Sequence, residues 1–143
     1  MIPTNNFENI KNVDVIIICV PTPLNKNKSP DLNFIKSSLN SIRGYLQEGQ
    51  ALILESTTYP GTTEEVIKPF IQNEGLDIGK NFFLIYSPER EDPGNKIYAV
   101  TDIPKILGGC SKNCDLIGKE LYSIISPEAV SYTHLRAHET VGN

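Results

Sequence analysis

Three short apolar runs that each end in a polar, proline-bearing turn confine this chain to few folds. The first is Asp14-Val15-Ile16-Ile17-Ile18-Cys19-Val20, the second Ala51-Leu52-Ile53-Leu54 and the third Phe82-Phe83-Leu84-Ile85-Tyr86. Continuous runs of this kind, rich in β-branched residues, predict strands covered on both faces. Between them Leu32, Ile35, Leu39, Ile42 and Leu46 recur at helical spacing, and Val66, Ile67, Phe70 and Ile71 do so again. Ser29 or Asp31 is expected to cap the first helix, with Pro30 in its first turn, Gly44 fraying it and Gly49 ending it. Thr62 and Glu65 stand at capping-box spacing ahead of the second. Ile106-Leu107 before Gly108-Gly109 reads as a short fourth strand, and Cys114, Ile117, Leu121 and Ile124 or Ile125 as a third helix. Strand, helix, strand, helix, strand is the order of an α/β parallel sheet with flanking helices.

Ligands of an open parallel sheet lie beyond the carboxyl ends of its strands. The three turns, Val20-Pro21-Thr22-Pro23, Glu55-Ser56-Thr57-Thr58-Tyr59-Pro60-Gly61 and Ser87-Pro88-Glu89-Arg90-Glu91-Asp92-Pro93-Gly94, therefore share one rim. Pro21 and Pro23 hold Val20 and Thr22 extended. Thr22 then either offers its hydroxyl to a ligand or sits solvated in a stiff turn. Ser56, Thr57 and Thr58 place hydroxyls just before a helix N-terminus, a position that attracts anions. Local turn and cap bonding is the other reading, and the one preferred for Thr62. Glu89 between two proline turns suits a general base if it is partly desolvated. With Arg90, Glu91 and Asp92 beside it, spacing alone reads the run as a solvated charged loop.

A chain of 143 residues holds one domain with a core, and its apolar share of 39% and charged share of 21% are ordinary for a soluble protein. The net charge of −4, without a basic stripe, argues against a nucleic-acid partner. The longest apolar run, Val15 to Val20, is too short for a membrane span. No charged start followed by an apolar stretch marks a signal peptide. Cys19 reads as a small buried hydrophobe. Cys110 and Cys114 lack a completing metal set, as do His134 and His138, so no metal is expected. Reduced thiols suit the cytoplasm.

In four blocks, in order and spacing, the chain resembles the UDP-glucose/GDP-mannose dehydrogenase family of nucleotide-sugar 6-dehydrogenases. These are Val20-Pro21-Thr22-Pro23-Leu24, Glu55 through Glu65, Ser87 through Asn95, and Ile106-Leu107-Gly108-Gly109. The second block and Glu91-Asp92-Pro93-Gly94-Asn95 look most like the UDP-N-acetylglucosamine 6-dehydrogenase branch, which feeds polysaccharide synthesis. The resemblance implies the second half of a Rossmann-like NAD-binding domain. It implies oxidation of a UDP-sugar C6 alcohol to the uronic acid, with two NAD consumed and a cysteine-bound intermediate. Thr22, Thr57, Pro21 and Ser56 are thereby implied at the cofactor, Thr57 and Glu89 in catalysis, and Glu89, Arg90 and Gly94 at the substrate.

The family's Gly-rich turn, which cradles the NAD pyrophosphate, does not precede Asp14, and its nucleophilic cysteine has no counterpart here. Neither Cys110 nor Cys114 falls in the right segment for that role. Residues 1–128 are expected to form a partial NAD-binding domain, inactive by itself, and 129–143 a tail foreign to the family. A homo-oligomer is expected of the full-length enzyme only. Two other readings are a small α/β module binding a phosphorylated ligand and a truncated product without function.

Overall fold

A computed structural model describes residues 2–25, 29–59, 61–88, 105–124 and 130–131. The β-branched run extends as β1 (Val15–Ile18), and the helical spacing winds as α1 (Asn33–Ile42). Strand β2 (Ala51–Leu54), helix α2 (Lys68–Asn73) and strand β3 (Phe83–Tyr86) follow. The rest is β4 (Ile106–Gly109), α3 (Lys112–Ser123) and the two-residue β5 (Val130–Ser131). The sheet order is β1-β2-β3-β4-β5. Strands β1, β2 and β3 run parallel in one register, with Ile18, Leu54 and Tyr86 side by side.

Side-chain alternation divides the core into two layers. Ile16, Ile18, Leu52, Leu54, Leu84 and Tyr86 face α1 and α2, packing on Ile35, Leu39, Ile42, Ile67, Phe70 and Ile71. Two successive crossovers that step the same way across a sheet place their helices on one face, which α1 and α2 do. Ala51, Ile53 and Ile85 face the other way, onto Leu107 and onto Cys114 and Tyr122 of α3. Helix α3 comes close because Gly118 has no side chain, and a Cβ there would stand 3.3 Å from Ile85. Below the sheet, the buried Gln50 amide donates to the carbonyls of Ile10 (2.6 Å) and Val13 (2.7 Å), tying the turn Phe7–Asn12 to β2.

The architecture agrees with the expected Rossmann-like fold, and several local expectations change. Strand β1 is fully covered on one face and only partly on the other: Val15 is half-buried, Ile17 is 51% exposed, and Cys19 is exposed, not buried. All three point to the α3 face, where α3 packs chiefly over β3 and β4. Helix α1 stops at Ile42, because Gly44 takes a left-handed φ of 74°. Leu46 lies beyond the helix yet is buried. Pro30 lies outside α1, bridged to Leu24, while Asp31 accepts the Asn33 N–H at 2.9 Å.

The capping box does not form. Thr62 is itself helical, and its hydroxyl donates to the Tyr59 carbonyl at 2.9 Å. The helix opens as a π turn over Thr63–Ile67 and tightens at Lys68, where Pro69 has no N–H to continue the wider ladder. Strand β4 runs antiparallel to β3, since it starts at the carboxyl rim and returns down the sheet. On the third helix the expected Cys114 is buried and Ile117 and Leu121 pack partly on the core, but Ile124 is exposed, and Gly118 and Tyr122 complete the buried face. The two-residue β5 pairs parallel with β4.

Truncating Ile53, which is 1% exposed, to alanine is expected to cost about 2–5 kcal/mol in urea unfolding. Ile17→Lys should change stability by no more than about 0.5 kcal/mol and lower concentration-dependent light scattering, because it charges an open strand edge. Equal costs at the two positions would mean that β1 is fully covered on both faces.

Candidate functional site

The site grows from the way β1 and β2 end together. Two residues past β2, Ser56 turns to the α1 and α2 side and is 4% exposed. Its hydroxyl accepts the Val20 N–H at 2.9 Å and donates to the Val20 carbonyl at 2.7 Å. Ser56, expected at the cofactor, thus gives its proton and one lone pair to the backbone and clasps the ends of β1 and β2. Pro21, which follows Val20, is exposed on the rim. The clasp brings the next residues into reach, and the Thr22 hydroxyl donates to the Thr57 carbonyl. Thr22 is half-buried and Thr57 exposed. The two threonines singled out from sequence therefore meet across the ends of β1 and β2.

Two further hydroxyls at this end of the sheet are unspent. Thr58 Oγ1 and Ser87 Oγ are buried with no hydrogen-bond partner among the described residues. Buried polar groups are nearly always paired, which makes these two hydroxyls exceptions at this rim. Glu89, Arg90 and Gly94 lie outside the described residues, as do His134 and His138.

A second polar group, not anticipated from sequence, occupies the same rim on the α3 face. Glu55 Oε1 accepts from the Tyr122 hydroxyl and lies 3.2 Å from Lys105 Nζ. Glu55 Oε2 accepts the Cys19 thiol at 3.6 Å. Burial first, and then the bond to the Glu55 carboxylate and its charge, pushes the Tyr122 phenol well above its ordinary range. The nearby Ser87 hydroxyl opposes that rise. The available signal was the spacing of Cys114, Gly118 and Tyr122, which sets Tyr122 on the buried face of α3.

The other thiols are structural. Cys114 is buried, accepting from the Leu84 N–H at 3.4 Å and the Ser111 hydroxyl at 3.2 Å. Burial, and next the Glu64 carboxylate, pushes the Cys110 thiol up to about 12. Among the described residues no group of three or more His, Cys, Asp or Glu is placed to hold a metal ion, and no helix is long and apolar enough to cross a membrane. A groove of about 310 Å³ between α1 and α2 is lined by Lys36, Asn40, Arg43 and Phe70, away from the rim. Arg43 there stacks on Phe70, 5.0 Å from the ring centroid.

Parallel strands with helices on both faces, and hydroxyl-bearing loops joined across the carboxyl ends, place this chain among the α/β domains that bind ligands at that rim. The model of the UDP-glucose/GDP-mannose dehydrogenase family, NAD binding domain, matches residues 2–126, and the chain belongs to that family. It is 38% identical over 120 residues to the UDP-N-acetyl-D-glucosamine 6-dehydrogenase of Pseudomonas aeruginosa, covering 83% of this chain and 28% of that one. The UDP-N-acetyl-mannosamine dehydrogenase Cap5O of Staphylococcus aureus superposes with a TM-score of 0.79 at 36% identity, over 88% of this chain and 31% of that one. UDP-D-ManNAc dehydrogenase of Pyrococcus horikoshii superposes at 0.81 with 30% identity, over 95% and 32%. The chain thus spans about 30% of the length of these relatives.

The cofactor of the family's domain is NAD. The residues present fit one end of it: the exposed Thr57, the half-buried Thr22 and the unspent hydroxyls of Thr58 and Ser87 offer neutral donors and acceptors. Such groups suit an amide or a ribose rather than a pyrophosphate.

Ser56→Ala strands the Val20 N–H and carbonyl and is expected to cost about 1–3 kcal/mol, whereas exposed Thr57→Ala should cost less than about 0.5 kcal/mol. Chemical denaturation of both variants checks this ordering, and a neutral Ser56→Ala would remove the clasp from the account. The thiols give a second check. Near pH 8 an alkylating reagent should label exposed Cys19 well before Cys110. The Cys110 thiol is held protonated in the fold, so the unfolded chain loses its proton first as pH climbs from 9 toward 12. Fewer bound protons in the unfolded state mean that stability is full below pH 9 and falls through that window. Stability that rises there would refute the assignment.

Proposed function

We propose that this domain forms the nicotinamide half of the cofactor site in a nucleotide-sugar 6-dehydrogenase. The substrate proposed is UDP-N-acetylglucosamine, oxidised at C6 to the uronic acid in the cytoplasm, by a protein that is a homo-oligomer when complete. The observation that carries the reading is the Thr22–Thr57 bond across the ends of β1 and β2, within a chain of this family. NAD, when bound, supplies the hydride acceptor. The balance is one CH2OH and one water going to one carboxylate, with two NAD reduced and three protons released.

The chain's own residues have separable tasks in this reading. Ser56 fixes the strand ends at Val20. Thr22, with its proton committed to the Thr57 carbonyl, presents its remaining lone pairs to the cofactor, and Pro21 keeps that turn extended. Thr57 contributes its exposed hydroxyl to hold the cofactor ring or an attacking water. Glu89, with its place taken from the resemblance, acts as base toward that water, while Arg90 and Gly94 border the sugar nucleotide. Local concentration and orientation are the means, since a hydroxyl adds no driving force of its own.

The test is steady-state kinetics of the complete protein with a panel of nucleotide sugars. Two NADH per sugar are expected, with UDP-N-acetylglucosamine preferred over UDP-N-acetylmannosamine, UDP-glucose and GDP-mannose. Thr57→Ala should lower kcat about tenfold or more and Glu89→Gln about a hundredfold. Thr22→Val should raise the KM for NAD with a smaller effect on kcat. Residues 1–143 alone should give no steady NADH production, and turnover by them with any of these sugars would contradict the division of labour.

A further inference from the structure

The α3 face of the sheet is apolar until its last row. One step beyond Ile18, Leu54 and Tyr86, alternation turns Cys19, Glu55 and Ser87 onto that face, side by side. Tyr122 lies over them from α3, and Lys105 arrives from the residue before β4. The carboxylate of Glu55 has all its partners: Tyr122 and Lys105 on one oxygen and the Cys19 thiol on the other. Lys105 Nζ is also 5.5 Å from the centre of the Tyr122 ring, so the ammonium meets a carboxylate and an aromatic face together. The Glu55 and Lys105 side chains are only 16% and 22% exposed.

An ion pair this far from water is a weak way to gain stability, because well-packed apolar residues would hold α3 as firmly. What it offers is direction. A carboxylate gripped from two sides fixes the backbone that bears it, and the next residues are the Ser56 clasp and Thr57. Lys105 and Tyr122 come from two other elements, so the carboxyl end of β2 is held against β4 and α3 as well as against β1.

We propose that Lys105 and Tyr122 are positioning residues which, through Glu55, set the Thr57 backbone so that its carbonyl meets Thr22 and its side chain stays on the rim. The proposal rests on reading this rim as the nicotinamide end of the NAD site. Neither residue touches the cofactor in it. Their effect reaches the reaction only through where Thr57 stands.

The test compares Tyr122→Phe, Lys105→Met and Lys105→Arg in the complete protein, with thermal melting of each as a control for folding. Tyr122→Phe and Lys105→Met should raise the KM for NAD about fivefold and lower kcat about fivefold to tenfold, with the KM for the sugar unchanged. Lys105→Arg, which keeps the charge, should recover most of the loss. Constants within twofold of the wild type would overturn the proposal. So would an equal rise of both KM values, or an arginine variant no better than methionine, since these are the marks of a merely structural part. Should a variant melt below the assay temperature, Glu55→Gln takes its place, with the same pattern expected. NAD affinity by calorimetry separates the two levels of the argument. A wild type that binds NAD but oxidises no nucleotide sugar overturns the dehydrogenase reading alone, and the affinities of the variants then decide the positioning claim. A wild type that neither binds nor reduces NAD overturns both.

Discussion

The Ser56 hydroxyl gives its proton to the Val20 carbonyl and takes the Val20 N–H, and these two bonds stand in for the ladder where β1 and β2 cease to pair. Parallel strands diverge once their hydrogen bonds end, and the loops that follow then depend on local chemistry for their placement. Here one buried hydroxyl continues the pairing by one residue. The consequence is that Thr22 and Thr57, 35 residues apart, meet through a hydrogen bond. Everything proposed for the rim depends on that meeting.

The two faces of the sheet support this point differently. On one face α1 and α2 build a continuous apolar layer under all three parallel strands, which fixes their register. On the other, α3 covers β2, β3 and β4 and leaves Ile17 of β1 and Cys19 just beyond it open. The polar row of Cys19, Glu55 and Ser87 lies at the limit of that cover. Burial there is deep enough to make partners necessary for Glu55, and the partners come from distant parts of the chain, Lys105 and Tyr122. A rim that grips ligands needs such rigidity, because loops by themselves place hydroxyls loosely.

Much of this was legible in the amino-acid sequence. Periodicity identified β1, β2, β3 and the helices between them, and the proline turns singled out Thr22 and Thr57 before any geometry. Cover was not legible, since a run such as Ile16-Ile17-Ile18 looks the same whether one face or two are buried. Thr62 and Glu65 had capping-box spacing, but Thr62 bonds backward to Tyr59 and Gly61 carries the turn at φ 97°. Ser56 looked like Thr57 in sequence, and only strand alternation separates the buried clasp from the exposed neighbour. The Glu55, Lys105 and Tyr122 group escaped because its members lie on three elements whose packing no local pattern encodes.

The central claim, that this rim holds the reacting end of NAD, is tested most directly by a crystal structure of the complete protein grown with NAD. The account predicts the nicotinamide over the carboxyl ends of β1 and β2, with Thr57 within hydrogen-bond reach of the ring or of its ordered water and Thr22 still bonded to the Thr57 carbonyl. A nicotinamide seated elsewhere, or a Thr22–Thr57 bond broken when the cofactor binds, would contradict it.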